Sequence, residues 1–212
     1  MRFVFALSLL ANFSNAQPNI PVDNEKVRVV SVTDPPHRKG AMHEHKMNRV
    51  MIYLDAGADR LTYEDGRVND LKFKAGEVLW SPGGGRHTSE NIGDKPFRVI
   101  ELELKAEGKP FRPPALDPVR IAPETYKVLL DNSQVRVLQV RAKPRQTIPL
   151  HEHGVDRVAV YMVPFRLRVT PENGQPAESA GPAYEVRFAG PTRHVEENLN
   201  DKEFEVIAVE LK

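Results

Sequence analysis

Six of the seven histidines in this 212-residue chain fall into two matching sets. His43, His45 and His87 recur as His151, His153 and His194. In an extended strand, residues i and i+2 point to the same side. His43 and His45 can therefore aim both imidazoles into one space and leave Glu44 on the other face, and His151 and His153 can do the same around Glu152. A third histidine, roughly forty residues later on an inward-facing strand, would complete a three-nitrogen site. Imidazole suits iron, zinc, copper, nickel or manganese, and the chain has no cysteine to offer a softer ligand. Three protein ligands leave positions open for water or substrate, the pattern of a catalytic centre. The competing reading is of histidines satisfied by hydrogen bonds in a polar barrel mouth.

The elements that position these residues are themselves repeated. Asn24 to Val32 aligns with Asn132 to Val140 at an offset of 108, and the same offset carries Arg49-Val50 onto Arg157-Val158. Asp65-Gly66 falls on Asn173-Gly174, and both dipeptides predict a two-residue type I′ hairpin turn. After a one-residue deletion, Arg86-His87 maps onto Arg193-His194, and the closing strand Phe97–Lys105 maps onto Phe204–Lys212. Identity holds at 16 of 43 pairs from 24 to 66 and at 12 of 20 from 86 to 105. Chance at average composition gives roughly one pair in sixteen, so the chain carries a duplicated domain.

Each copy reads as all-β. Ile100, Leu102 and Leu104 alternate with charged residues, as do Leu71 and Phe73, which predicts strands with one buried face and charged residues turned away from it. Between the copies, Ala106 to Pro123 holds five prolines and reads as an extended linker. A period near 110 residues is too long for a solenoid, so two barrels or sandwiches follow. Lys and Arg total 30 against 29 Asp and Glu, a balance that gives no electrostatic footprint for nucleic acid or anionic lipid. At the start, Met1-Arg2 precedes an apolar run from Phe3 to Phe13, with Ser14 and Ala16 at the −3 and −1 positions of a secretory cleavage site. The run is shorter than the about 20 residues of a membrane-crossing helix. The expectation is a signal peptide at 1–16, an exported mature protein, periplasmic or secreted, without a membrane segment, and domains at 17–105 and 124–212 joined by the linker 106–123.

Gly76, Pro82, Gly84, His87 and Asn91 occupy every fixed position of the second motif of the cupin family, G-x5-P-x-G-x2-H-x3-N, and His43-Glu44-His45 resembles the start of its first motif, H-x-H-x3,4-E. The resemblance covers both repeats, about 24–105 and 132–212, and the chain looks like a bicupin. It implies two tandem jelly-roll barrels, each with a divalent transition metal site (iron, manganese, nickel or zinc) in its mouth. The second copy keeps His194 and Asn198 but carries Ala183 and Ala189 where the motif's glycine and proline are expected. The family's glutamate ligand would fall at Arg49 or Val50 and at Arg157 or Val158, none of which binds a metal. Asn48 and Asp156 lie one position earlier, and only Asp156 offers a carboxylate. Some cupin dioxygenases are similar in using three histidines without the glutamate.

Arg49 and Arg157 can hold a substrate carboxylate through a bidentate pair, or can form structural ion pairs with Glu44, Glu152 or the neighbouring barrel. Asn91 and Asn198 are expected to brace a turn through side-chain to backbone bonds. Arg86 and Arg193 should point outward, and His37 reads as a loop residue. Three functions remain open: a metal-dependent oxygenase or isomerase of a small oxygenated or carboxylated molecule, a non-catalytic small-molecule binder, and a structural barrel pair with vestigial histidines. A homodimer is compatible with each.

Overall fold

A computed structural model describes residues 19–212, so the signal-peptide reading at 1–16 lies outside the described residues. The first repeat forms β1 (Asn19–Asp23), β2 (Val27–Asp34), β3 (Arg49–Tyr53), β4 (Gly57–Tyr63), β5 (Val68–Phe73), β6 (Val78–Ser81), β7 (His87–Asn91) and β8 (Phe97–Leu104). A short helix α1 (Pro118–Ile121) follows. The second repeat forms β9 (Tyr126–Asp131), β10 (Val135–Ala142), β11 (Thr147–His153), β12 (Arg157–Tyr161), β13 (Phe165–Pro171), β14 (Ala177–Gly181), β15 (Val186–Ala189), β16 (Thr192–Asn198) and β17 (Phe204–Leu211). Antiparallel pairing gives sheets β1-β2-β8-β3-β6 and β5-β4-β7 in the first unit, and β15-β12-β17-β10-β9 and β11-β16-β13-β14 in the second. The chain is all-β, two jelly rolls in tandem. The linker is not wholly extended: Asp117 caps α1 by accepting from the amide of Val119, and Pro118 opens the helix, where its missing N–H costs nothing.

The period of two in the large sheets has a different cause from the one the sequence suggests. Ile100, Leu102 and Leu104 do not face a barrel interior. They join Val27, Val29, Val50, Ile52 and Leu54 in one apolar cluster with Val135, Val137, Val158, Val160, Ile207, Val209 and Leu211 of the second unit. The two five-stranded sheets thus pack face to face, and this interface is the largest core of the molecule. The alternate residues turn into the barrels. Phe97 and Val99 fill the first with Tyr53 and Phe73, and Phe204, Val206 and Ala208 fill the second with Tyr126, Leu138 and Ile148. Glu101 and Glu103, expected on the water side, stand on this inner face, as does Glu210, which is fully buried. A strand sandwiched between two buried layers alternates just as a half-exposed one does when one layer is apolar and the other polar.

The interface obeys a pseudo-two-fold. Asn48 donates to Gln134 at 2.6 Å, while Lys26 meets Asp156 at 2.5 Å. Positions 26 and 134 are repeat equivalents, as are 48 and 156, so each contact is the other with the copies exchanged, as in an isologous dimer. Other details repeat too. His37 and Arg145 both hold positive φ, 57° and 59°, and each side chain meets an aspartate from an equivalent position, Asp94 at 3.3 Å and Asp201 at 2.6 Å.

Three local expectations are corrected. The hairpin at Asp65-Gly66 is longer than a two-residue type I′ turn: Tyr63 pairs with Arg67, Gly66 alone takes positive φ, and neither Asp65 nor Asn173 does. A three-residue loop with a left-handed glycine avoids placing an aspartate in that region. Second, the deletion falls later than the sequence alignment set it. The amide of Gly76 bonds to Tyr53 and that of Tyr184 to Tyr161, while Ser81 and Ala189 pair with Arg49 and Arg157. Tyr184 therefore replaces the motif glycine at φ 67°, and the missing residue belongs to the loop after Ser81. Third, His43-Glu44-His45 is not a regular strand; a single bridge joins His43 to His87, whereas His151 and His153 lie within β11. Ile148 anchors β11 in the core, and its repeat equivalent is Gly40, which has no side chain to bury.

Candidate metal centres

Both predicted triads assemble. His43, His45 and His87 present ligand atoms within 4.8 Å of one another, and so do His151, His153 and His194. Backbone carbonyls aim the rings. Nδ1 of His43 donates to Ala41 at 2.9 Å, Nδ1 of His87 to Gly85 at 2.9 Å, and Nδ1 of His151 to Pro149 at 2.8 Å. A carbonyl only accepts, so Nδ1 carries the proton and Nε2 keeps its lone pair for a metal. Burial disfavours the protonated form of three of the rings: His45 is pushed down to about 3, with Arg49, His43 and His87 adding to the desolvation, His151 to about 4 and His194 to about 2. Imidazoles with converging Nε2 nitrogens fit a divalent transition metal.

A carboxylate backs the second histidine of each set. Nδ1 of His153 donates to Glu210 at 2.9 Å, and Glu210 accepts in turn from Nε of Arg136 at 2.6 Å. Arg136 closes the chain on Asp117 at 2.9 Å. In the first copy Arg28 meets Glu103 at 2.9 Å, but His45 stands 3.9 Å from Glu103, beyond a hydrogen bond. Histidine and arginine hold the Glu210 carboxyl below its ordinary range against the opposing pull of burial. These carboxylates escape a motif search, yet they carried a signal: Arg28 and Arg136, like Glu103 and Glu210, are identical pairs of the repeat.

The two arginines expected beside the triads do lie on inner faces. Arg49 is buried and donates to Glu101 at 2.7 Å and to Ser81 at 3.0 Å, while its Nε has no partner. Glu44 is not the ion-pair partner; Glu101 on β8 is. Arg157 donates to the carbonyl of Gly190 at 2.8 Å, and burial lowers its affinity for its proton against the opposing pull of Glu196. Asn48 and Asp156, the polar residues nearest the missing glutamate, are turned to the barrel interface. Asn91 and Asn198 brace their turns, bonding to the carbonyls of Asp34 and Lys95 and of Ala142, Lys143 and Lys202. Arg86 and Arg193 point outward to Glu64 and Glu152.

The surroundings of the triads differ. The first opens into a cavity of about 600 Å³ reached by Arg38, Arg67, Asp34, Asp59 and Glu101. Desolvation raises the carboxyls of Asp34 and Asp59, each opposed in part by a neighbour, and Asp59 accepts from Ser89 at 2.8 Å. In the second barrel all three histidines are buried beside Tyr126 and Glu196. Desolvation alone raises Glu196 to about 7 against the pull of Arg157.

Comparison with known proteins agrees with this architecture. Residues 30–103 match the Cupin domain family. AerE from Microcystis aeruginosa superposes with a TM-score of 0.64 at 13% identity, over 92% of this chain and 97% of that one. A tryptophan-to-tyrosine variant of oxalate decarboxylase from Bacillus subtilis gives 0.64 at 15% identity, over 88% and 69%. A second structure of that enzyme, described for its Mn(II) centres, gives 0.61 at 14% identity over the same shares. At such identities the likeness is one of fold. No curated protein matches the sequence. A cupin domain in the first half, and the same jelly-roll fold with its own histidine triad in the second, give this chain a bicupin-like fold.

Proposed function

We propose that the protein is a metal-dependent bicupin enzyme that transforms a small oxygenated or carboxylated molecule in its first barrel, by oxygenase or isomerase chemistry. One observation carries the reading: three lone pairs, on His43, His45 and His87, converge at the wall of a polar cavity large enough for a small metabolite. The ion they would hold supplies Lewis-acid polarisation of a bound oxygen. The chain's own residues do the rest. Arg38 and Arg67 line the cavity as cations for an anionic substrate. Arg49, neutralised by Glu101, offers its unpartnered Nε as a positioning donor. Asp59, its carboxyl raised by burial and tied to Ser89, can hold or move a proton at its carboxyl oxygen. The Mn(II) centres of the oxalate decarboxylase neighbour support a metal-dependent reading on a shared fold. The reading includes export after cleavage following Ala16, with the mature chain acting as a monomer or homodimer.

The test is elemental analysis of residues 17–212, purified without chelators, beside a His43→Ala/His45→Ala variant. We expect bound manganese, iron, nickel or zinc in the native chain, and one ion fewer in the variant. Small hydroxy- and dicarboxylic acids, screened by thermal shift and then for turnover, should act on the native protein only. A native chain that takes up no metal after soaking with divalent ions would end the enzyme reading. N-terminal sequencing of the protein from its cells, beginning at Met1, would end the export reading.

A further inference from the structure

The two triads are copies in sequence but not in environment. In the second barrel two oxygen donors stand against the imidazoles. The hydroxyl of Tyr126, on β9, is 3.0 Å from Nε2 of His151. A carboxylate oxygen of Glu196, on β16, is 3.8 Å from Nε2 of His194. The Tyr126 O–H donates to the Nε2 lone pair of His151, which a metal would take in its place, and Glu196 stands just beyond hydrogen-bonding distance of Nε2 of His194. Ligand atoms bound to one ion at about 2.0–2.2 Å lie about 3.0–3.5 Å from each other, so Tyr126 is already at that spacing and Glu196 needs a shift of a few tenths of an ångström. Neither has a chemical equivalent in the first copy. The repeat places Ser89 opposite Glu196 and Pro18 opposite Tyr126.

We propose that the second barrel holds a closed metal centre, in which His151, His153, His194 and Glu196 surround the ion and the Tyr126 hydroxyl covers the face an outside molecule would take. The inference rests on the reading that the triads bind metal. Glu196 then replaces the carboxylate missing at Arg157 and Val158, supplied two residues beyond the third histidine instead of four or five beyond the second. Closed centres with a full protein ligand set hold structure, and centres with an open position do chemistry. The duplication has thus divided these tasks: the second ion stabilises the pair of barrels, and the first meets substrate.

Cobalt(II), whose visible spectrum reports coordination, serves as the probe in the full mature chain. Two ions per chain are expected, and under a chelator one leaves at least about tenfold more slowly than the other. The slow ion is the one retained by the His43→Ala/His45→Ala variant. In that background azide leaves the spectrum unchanged, and Tyr126→Phe makes it azide-responsive. Glu196→Gln speeds release of the slow ion about tenfold or more. Glu196→Gln and Tyr126→Phe change few atoms, and their melting curves verify folding. Two bound ions that respond alike to azide, or slow release indifferent to Glu196→Gln, would overturn the closed centre and leave the metal reading standing. A chain that binds no cobalt would overturn both.

Discussion

Lys26 of the first barrel meets Asp156 of the second at 2.5 Å across the packed sheets, and this pair is the repeat image of Asn48 with Gln134. The relationship shows that the barrels are joined as a dimer would be, with the linker an addition. It also removes Asp156 from the second metal site. Asp156→Ala should therefore leave metal content unchanged and cost no more than about 1 kcal/mol, since a partly exposed pair contributes little. Leu102→Ala, at the centre of the apolar cluster, should cost about 2–5 kcal/mol, with both barrels unfolding in a single transition. Urea titration followed by the fluorescence of Trp80 and by circular dichroism checks this. Two separated transitions in the native chain would contradict the shared core.

Glu210 is fully buried, with His153 on one oxygen and Arg136 on the other. Removing its charge strands the Arg136 guanidinium with Asp117 alone and frees the His153 ring to turn. Glu210→Gln should weaken metal binding at the second site about 10- to 100-fold and destabilise the chain by up to about 3–5 kcal/mol. Glu103→Gln should do less at the first site, because His45 is not within hydrogen-bonding distance of that carboxylate. Metal competition with a coloured chelator, run on both variants, separates the two cases. Equal losses would show that the difference in distance has no energetic consequence.

The depressed histidines set the acid limit of the metal-free protein. Each imidazole binds a proton near pH 6.5 when unfolded, but in the fold His151 does so only near 4, His45 near 3 and His194 near 2. Below about pH 6.5 these three histidines hold protons in the unfolded chain that they lack in the native one, outweighing the single proton that Glu196, raised to about 7, takes up in the fold, so stability rises with pH through this range and is lost as pH falls. The melting temperature of the metal-free protein should drop steadily from pH 7 to pH 4.5. His194→Gln should flatten that slope, and His37→Gln, which alters an exposed loop side chain, should not. A melting temperature constant over the range would refute the assignment of buried, neutral rings.

The fold and both triads were legible because duplication writes each signal twice. His43 and His151 gain their meaning from one another, and the alternation through Ile100, Leu102 and Leu104 marks a strand whatever lies on its two sides. What lies on those sides was not legible. Period two cannot distinguish water from a polar barrel interior, so Glu101 and Glu103 read as surface residues while in fact facing inward. Nor could spacing reveal Tyr126 or Glu196 beside the second triad: one arrives from a different strand, and the other replaces a serine in the copy. Such contacts arise from tertiary packing, which no local pattern encodes.

The loop 82–85 separates what the motif fixes from what the site needs. Gly84 is the motif's fixed glycine, and its φ of 97° favours glycine, yet a Cβ there would meet open space. Gly83, unspecified by the motif, has ordinary φ, but a Cβ on it would lie 2.7 Å from the carbonyl oxygen of Lys46, the residue after His45. Backbone cannot yield there as a flexible side chain would. The two segments are also tied, by the amide of Gly84 to the carbonyl of His45 at 2.7 Å and that of Gly83 to Asn48 at 2.8 Å. Gly83→Ala must therefore push the His45 segment away from His43 and His87, while Gly84→Ala costs about 1–2 kcal/mol of backbone strain and leaves the triad in place. We expect Gly83→Ala to lower metal affinity at the first site at least about tenfold, with the second site unaffected, and Gly84→Ala to lower the melting temperature with both ions retained. Chelator competition in the His151→Ala/His153→Ala background measures the first site alone. Should Gly83→Ala bind as tightly as its parent there, His45 would not depend on that loop for its position.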